Sequence, residues 1–178
     1  MKILNIHGYH GDTQNSAYKA LSELGCDTIS PAFDYDNELP GKVMSNLRDI
    51  IDDNNIEMIV GTSLGGFYAA VLSARTGLPA ILVNPCLLPF LHLPRLGYNG
   101  NIASFVPLFG ELSELYAEKI SVIIGGSDEV IDTHDFTKNL LRGSRFRVVT
   151  EGKHSGSTLP LKDFFGEILR GDIPCVFS

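Results

Sequence analysis

Short apolar runs rich in β-branched residues recur along this chain, and most are followed by a turn signal and then by a helix-length pattern. This alternation predicts parallel βαβ units. We expect six strands, at residues 2–8, 26–32, 58–63, 80–86, 121–126 and 145–151. Several runs are almost continuously apolar, which is typical of parallel strands that helices cover on both faces. The sequence therefore predicts an α/β fold with one six-stranded, mostly parallel sheet.

The segments between the predicted strands carry helical patterns. We expect helices at residues 14–24, 41–53, 65–76, 133–142 and 160–170. Asp132 is the predicted N-cap of the fourth, because its carboxylate is suited to accept the free amides of the following turn. Residues 87–119, rich in Leu, Phe and Pro, fit neither pattern and are too long for a simple connection. We interpret them as a short cap-like insertion over a site.

Composition favours one soluble domain. The 178 residues, 44% of them hydrophobic and 20% charged, fit a single unit spanning 1–178, and no linker, charge block or repeat divides them. A net charge of −7 with scattered basic residues argues against a nucleic-acid partner. No apolar run is long enough to span a membrane, and polar residues end the apolar start "MKILNI" too early for a signal peptide. We expect a cytoplasmic protein without membrane insertion.

The three cysteines, Cys26, Cys86 and Cys175, form no CxxC pair and have no histidine at zinc-finger spacing. We interpret them as small buried apolar residues and predict no metal site. Cys86 follows a predicted strand and is an alternative nucleophile, but the sequence indicates no particular residue as a base for the Cys86 thiol.

A serine between glycines lies where the third predicted strand meets a helix. Gly61-Thr62-Ser63-Leu64-Gly65 matches G-x-S-x-G between a predicted strand and a predicted helix. In this context the motif is typical of a nucleophile elbow, the sharp turn that exposes a serine. Residues without side chains at Gly61 and Gly65 allow strand and helix to approach closely around a strained serine. Ser63 is therefore a candidate nucleophile, and an ordinary turn serine is the alternative.

A nucleophilic serine needs a histidine base within hydrogen-bond reach. His154 is the candidate, because it follows the last predicted strand, and parallel strands bring their carboxyl ends to one edge of the sheet. His10, His92 and His134 are interpreted as structural, with His10 a possible lining residue at the mouth of the site.

Four carboxylates follow the fifth predicted strand and are candidates for the triad acid. Asp128 comes immediately after "VIIGGS", where a short loop can direct it toward the base. Asp132 is the alternative acid, although helix capping and first-turn charge explain Asp132 and Asp135 well. Glu129 is interpreted as a surface acid. We favour Asp128, which gives the chain order Ser, Asp, His found in α/β hydrolases.

Acyl transfer also needs amide donors for the developing oxyanion. The Leu64 amide, at the start of the helix after the serine, is one candidate, and the Tyr9 amide in the loop after the first strand is the other. Gly8 keeps the backbone of that loop close to the site. A phosphate-binding loop is the competing interpretation, but neither G-x-G-x-x-G nor G-x-x-x-x-G-K-[ST] occurs here.

Five blocks, "HG" after the first strand, "GTSLGGFYA", "VNP", "GSDEVID" and "GKH", carry a family resemblance. In order and spacing they resemble the small YqiA-like esterases of the α/β-hydrolase superfamily, over residues 3 to about 169. The resemblance implies a compact hydrolase with Ser63, Asp128 and His154 as its triad, acting on short acyl esters or on thioesters. Two departures, "HSG" after "GK" and "HGYHGD" in place of a Ser-rich turn, concern the shape of the acyl pocket.

The resulting hypothesis is a serine hydrolase whose substrate is a small acyl ester and which requires no metal or organic cofactor. An acyltransferase or a peptidase could use the same triad, and a non-catalytic binding module of the same fold is a further alternative. Seven apolar residues of the 87–119 segment either form an acyl pocket or close the core over the sheet. They are Leu87, Leu88, Phe90, Leu91, Phe105, Val106 and Phe109.

Overall fold

The strands form one parallel sheet. The structure is a computed structural model and describes residues 1–171. The strands are β1 (Lys2–Ile6), β2 (Asp27–Ile29), β3 (Met58–Thr62), β4 (Ala80–Val83), β5 (Ile120–Gly125) and β6 (Arg145–Val149). They lie in the order β2-β1-β3-β4-β5-β6, and every neighbouring pair is parallel. Each overlaps its predicted range, so the six-stranded α/β fold is confirmed.

Helices connect the strands. The α-helices are α1 (Ser16–Glu23), α2 (Pro40–Asn54), α3 (Leu64–Thr76), α4 (Pro89–His92), α5 (Val106–Gly110), α6 (His134–Leu140) and α7 (Leu161–Arg170). Short 3-10 helices span Leu93–Leu96, Ile102–Phe105, Glu111–Glu114, Ala117–Lys119 and Gly156–Thr158. The five predicted helices correspond to α1, α2, α3, α6 and α7. Within the part of the chain described, no helix has the length and apolar character needed to cross a membrane.

The sheet is buried on both faces, which explains the continuous apolar runs. Successive residues of a strand point to opposite faces. In β3, Ile59 packs with α2 and α3, whereas Val60 packs with α1 and α7. Both side chains are fully buried, so a strand in this position has no solvent face on which to place polar residues.

Residues 87–119 cover the α2 and α3 side of the sheet with short helices rather than with a strand or a long helix. Leu87, Leu93 and Phe105 are buried in the same core cluster as α3. Polar contacts join this segment to two loops at the carboxyl edge of the sheet. The His10 imidazole Nε2 lies 3.2 Å from the Leu96 carbonyl oxygen, and Arg95 pairs with Asp132 at 3.0 Å.

The predicted N-cap of α6 is wrong by one residue. Thr133 occupies the cap position and makes no side-chain cap hydrogen bond. The Asp132 carboxylate instead accepts a hydrogen bond from the exposed Arg95 side chain, which lowers its pKa. A partner distant in sequence thus replaces the local capping bond. Asp135 does lie in the first turn of α6, as predicted, and pairs with Lys138.

Candidate active site

Ser63 lies at the junction of β3 and α3 in a strained backbone conformation. Its φ of +54° and ψ of −118° are rare for a residue with a side chain. Two backbone hydrogen bonds hold the turn against β4: the Ser63 amide donates to Val83, and the Cys86 amide donates to the Ser63 carbonyl, at 2.9 and 3.0 Å. The neighbouring chain therefore fixes the strained serine, which is 8% exposed.

The flanking glycines are required by close backbone contact. A Cβ at Gly61 would overlap the carbonyl oxygen of Gly65, and a Cβ at Gly65 would overlap the carbonyl oxygen of Ile6 in β1. These contacts explain why strand, turn and helix need residues without side chains at both positions.

The side chains of Ser63, His154 and Asp128 form a continuous hydrogen-bonded chain. His154 Nε2 lies 3.1 Å from Ser63 Oγ, so it can accept a hydrogen bond from the hydroxyl group. His154 Nδ1 lies 3.1 and 3.0 Å from the two carboxylate oxygens of Asp128 and can donate to them. In this arrangement the carboxylate orients the imidazole and the imidazole can take the serine proton. The structure thus brings together the three residues chosen from the sequence.

The Asp128 carboxylate is the centre of a dense set of donors. One oxygen accepts hydrogen bonds from the backbone amides of Val130 and Ile131, both at 2.9 Å. The other lies 2.9 Å from Nε2 of His134. Burial raises the pKa of Asp128, but hydrogen bonds from His134, His154 and the Ile131 amide outweigh this and hold the pKa well below its usual range. Asp128 is therefore ionised at neutral pH.

Asn84 fixes the loop that carries His154. It lies just after β4, is fully buried and adopts a left-handed φ of +44°. Its side-chain amide donates to the carbonyl oxygens of Lys153 and His154 and accepts from the Gly125 amide at 2.7 Å. The exposed Glu129 also accepts a hydrogen bond from the His154 amide, at 3.2 Å. The sequence marked Asn84 only as part of the "VNP" block.

The loop after β1 packs directly against Ser63. A Cβ at Gly8 would lie 2.9 Å from the Ser63 Cβ, and a 2.9 Å hydrogen bond from Gly11 to Gly8 closes a turn around Tyr9. His7 holds this turn: its Nδ1 lies 2.8 Å from the Gly8 carbonyl oxygen, while its Nε2 accepts from the Phe33 amide.

The two predicted oxyanion donors are next to the serine in sequence or in space. Leu64 is the first residue of α3, where a helix leaves its amides without intrahelical acceptors. Tyr9 follows Gly8, and its hydroxyl donates to Asp36 at 2.9 Å. Burial of the hydroxyl and, after it, this hydrogen bond raise the Tyr9 pKa to about 12. The side-chain bond anchors the residue whose backbone amide is the second candidate donor.

A cleft of about 430 Å³, lined mainly by polar residue types, opens beside Ser63 and His154. Its walls are the 8–12 turn, residues 14–16 and Lys19 where the chain enters α1, and residues 154–156. The side chains of Asp12, Gln14, Asn15, Ser16, Lys19 and Ser155 line it. His10 also lines it, as the sequence suggested. The seven apolar residues of 87–119 do not, and Leu87 and Phe105 lie in the core instead.

The remaining histidines and cysteines have other surroundings. His92 is buried and lies 2.9 Å from the Thr133 hydroxyl, which agrees with a structural role, whereas His134 contacts the candidate triad acid. Burial raises the pKa of Cys86 to about 12, which argues against a thiolate nucleophile. Cys26 is only half-buried, contrary to prediction, and Cys175 lies outside the described residues.

Comparison with known proteins identifies the fold. The model of the Uncharacterised protein family (UPF0227) matches residues 2–106. A Xanthomonas campestris pv. campestris protein assigned to the α/β superfamily of hydrolases is 19% identical, with a TM-score of 0.67 over 96% of this chain and 98% of that one. A Nitrososphaera gargenis carboxylesterase is 15% identical, with a TM-score of 0.67 over 96% and 88%. A serine hydrolase homologue from Coxiella burnetii is 18% identical, with a TM-score of 0.62 over 97% and 85%. The fold is therefore that of the α/β hydrolases, as predicted.

Proposed function

The chain belongs to the Uncharacterised protein family (UPF0227), the YqiA-like family that its motifs resemble, and on this premise we propose that it is a cytoplasmic serine hydrolase of small carboxylic esters. The observation that carries the proposal is the hydrogen-bonded chain from Ser63 Oγ through His154 to Asp128, with 3.1 Å between Ser63 Oγ and His154 Nε2. A strained serine held within reach of an oriented imidazole is the arrangement that activates a hydroxyl nucleophile.

The proposed reaction has two steps. Ser63 Oγ attacks the ester carbonyl carbon while His154 Nε2 accepts the hydroxyl proton, and the Leu64 and Tyr9 amides stabilise the oxyanion. The tetrahedral intermediate collapses, and His154 returns the proton to the departing alcohol. Water then attacks the acyl-enzyme with His154 again as base, which releases the acid and restores the Ser63 hydroxyl. Asp128 keeps the imidazole oriented and stabilises its protonated form in both steps.

The cleft beside Ser63 supports a small ester as the substrate. A binding site for a long acyl chain needs apolar surface, since each buried methylene stabilises binding by about 0.8 kcal/mol. The side chains that line the cleft beside Ser63 are mostly charged or amide- and hydroxyl-bearing. Of the seven apolar residues of 87–119, Leu87 and Phe105 are buried in the core and Phe109 packs against it, which favours the core-closing interpretation for these three. Leu91 and Val106, in contrast, are exposed.

A fluorophosphonate probe tests the proposal. We expect one equivalent of label on the wild-type protein and none on Ser63→Ala. Ser155→Ala is the matched control, because Ser155 is an exposed serine that lines the same cleft; this variant should label like the wild type. Absence of labelling at neutral pH in folded wild-type protein would contradict a nucleophilic Ser63 and favour a binding module. Acetate esters and acetyl thioesters, assayed in parallel, then distinguish esterase from thioesterase activity.

A further inference from the structure

Two imidazoles share one oxygen of the Asp128 carboxylate. Oδ2 lies 3.0 Å from Nδ1 of His154 and 2.9 Å from Nε2 of His134. In a Ser-His-Asp triad the carboxylate needs only one of these partners, the base that takes the serine proton. His134 is a second donor, and it approaches from α6 rather than from the loop that carries the base.

The contact between His134 and Asp128 is buried. The His134 side chain is 10% exposed and that of Asp128 is 1% exposed. Low local dielectric strengthens a hydrogen bond to an ionised group, so this bond has a larger effect than a surface ion pair. The Val130 and Ile131 amides hold the other carboxylate oxygen, so the carboxylate cannot turn away from either imidazole.

The second ring nitrogen of His134 makes no hydrogen bond with the described residues. This atom, Nδ1, is buried. A buried polar atom without a partner costs free energy, so an apolar side chain would fill this position at lower cost if packing were the only requirement. The bond from Nε2 to Asp128 accounts for an imidazole at this place.

We propose that His134 is a positioning residue that shares the Asp128 carboxylate with His154 and thereby limits how strongly Asp128 stabilises the protonated His154 imidazole. This inference rests on the proposed function only in taking His154 as the base. Each donor to a carboxylate neutralises part of its negative charge. Loss of the His134 donor therefore leaves more of that charge to His154, and the imidazole then holds its proton to higher pH.

The other titratable groups around Asp128 and His154 are unchanged when His134 is replaced. From α4, His92 bonds to Thr133 and not to the carboxylate, and the loop after β4 contributes the thiol of Cys86. Glu129 bonds to the His154 amide. Asp132 and Asp135 are exposed, and each is paired with a cation, Arg95 and Lys138 respectively. A change measured on removal of His134 thus reports the His134 bond.

Three substitutions of His134 separate donation from packing. His134→Leu removes the donor and keeps an apolar side chain of useful size, whereas His134→Asn stays polar but is too short to reach Asp128. His134→Gln restores an amide donor near the position of Nε2. His92→Leu is the matched control, because it removes a buried histidine of the same region that has no bond to Asp128. The readouts are the midpoint of the His154 imidazole NMR titration and the acid limb of kcat/KM for 4-nitrophenyl acetate.

We expect the His154 titration midpoint to lie at higher pH in His134→Leu and His134→Asn than in the wild type. The acid limb of kcat/KM should move with it, and His134→Gln and His92→Leu should match the wild type. An unchanged or lowered midpoint in either donor-free variant, with the fold intact by circular dichroism, would overturn the inference. The NMR readout needs no turnover, so failure of the probe to label Ser63 would count against the proposed function and leave this result interpretable. If His134→Leu does not fold, His134→Asn decides the question.

Discussion

The side-chain amide of Asn84 donates a 2.8 Å hydrogen bond to the backbone carbonyl of His154, across a separation of 70 residues. A second bond of 2.9 Å goes to the Lys153 carbonyl, and the Asn84 carbonyl oxygen accepts from the Gly125 amide at 2.7 Å. Asn84 thus connects the ends of β4 and β5 to the loop that presents the candidate base. No other side chain described bonds to both of these loop carbonyls.

Replacing Asn84 with Asp should loosen this loop. A carboxylate cannot donate to the two carbonyls and faces them with negative charge, while Asp tolerates a left-handed backbone about as well as Asn. We expect the free energy of unfolding to fall by about 2–4 kcal/mol, measured by urea denaturation, and kcat to fall more than KM rises. Asn54→Asp is the matched control, because Asn54 donates only to Ile50 within the last turn of α2. Equal losses in the two variants would refute the role given to Asn84.

Gly65→Ala should prevent the turn around Ser63 from forming. The added methyl group would overlap the Ile6 carbonyl oxygen and approach the His7 carbonyl oxygen at 2.6 Å, and backbone in the centre of the sheet has no room to move away. We expect a loss of several kcal/mol of stability or failure to fold. Gly41→Ala is the control, since its Cβ would meet nothing within 4 Å in α2, and Ala should stabilise a helix by about 0.5–1 kcal/mol. A folded Gly65→Ala protein with wild-type melting temperature would contradict the packing argument.

Asp128→Asn should abolish most esterase activity, because an amide in place of the carboxylate favours the wrong imidazole tautomer. The expected loss in kcat is on the order of 10³–10⁴. Asp132→Asn removes an exposed carboxylate that pairs with Arg95, and it should leave kcat within about twofold of wild type. The opposite pattern would identify Asp132 as the acid.

The sequence predicts the elements of the fold because periodicity and turn residues act locally. Strand ends, the G-x-S-x-G turn and the positions of His154 and Asp128 after their strands all depend on residues near in sequence, and parallel topology then brings them to one edge. The contacts of Asn84 and His134 depend on which side chains meet once the loops are packed, and no local pattern signals them. Asp132 shows the same limit, since its carboxylate accepts a hydrogen bond from Arg95, 37 residues away, and does not cap α6. The 87–119 segment has the apolar composition expected of a cap-like insertion, but several of its apolar side chains, such as Leu87 and Phe105, are buried in the core.

Longer acyl chains on the substrate should raise kcat/KM little. The cleft beside Ser63 offers mainly polar side chains, so successive methylenes stay exposed to water and contribute far less than the about 0.8 kcal/mol each would provide if buried. We expect kcat/KM for 4-nitrophenyl esters to be highest at two to four acyl carbons and to fall or stay level beyond. A steady rise toward eight or ten carbons would show that an apolar channel opens, for which the 87–119 segment would be the candidate.

Stability should depend on pH through Asp128. Its pKa in the folded protein lies well below the value of about 3.9 expected in the unfolded chain, so the unfolded state binds the proton first as pH falls. The contribution of this group is therefore complete above the unfolded pKa and is lost as pH falls through the folded pKa. We expect the difference in unfolding free energy between wild type and Asp128→Asn to be smaller at about pH 3 than at about pH 5, a range that lies below the ordinary titration of histidine. Asp53→Asn, at an exposed position in α2, is the control and should show little change over the same range. A difference that grew between about pH 5 and about pH 3 would mean that the hydrogen bonds around Asp128 favour its protonated form.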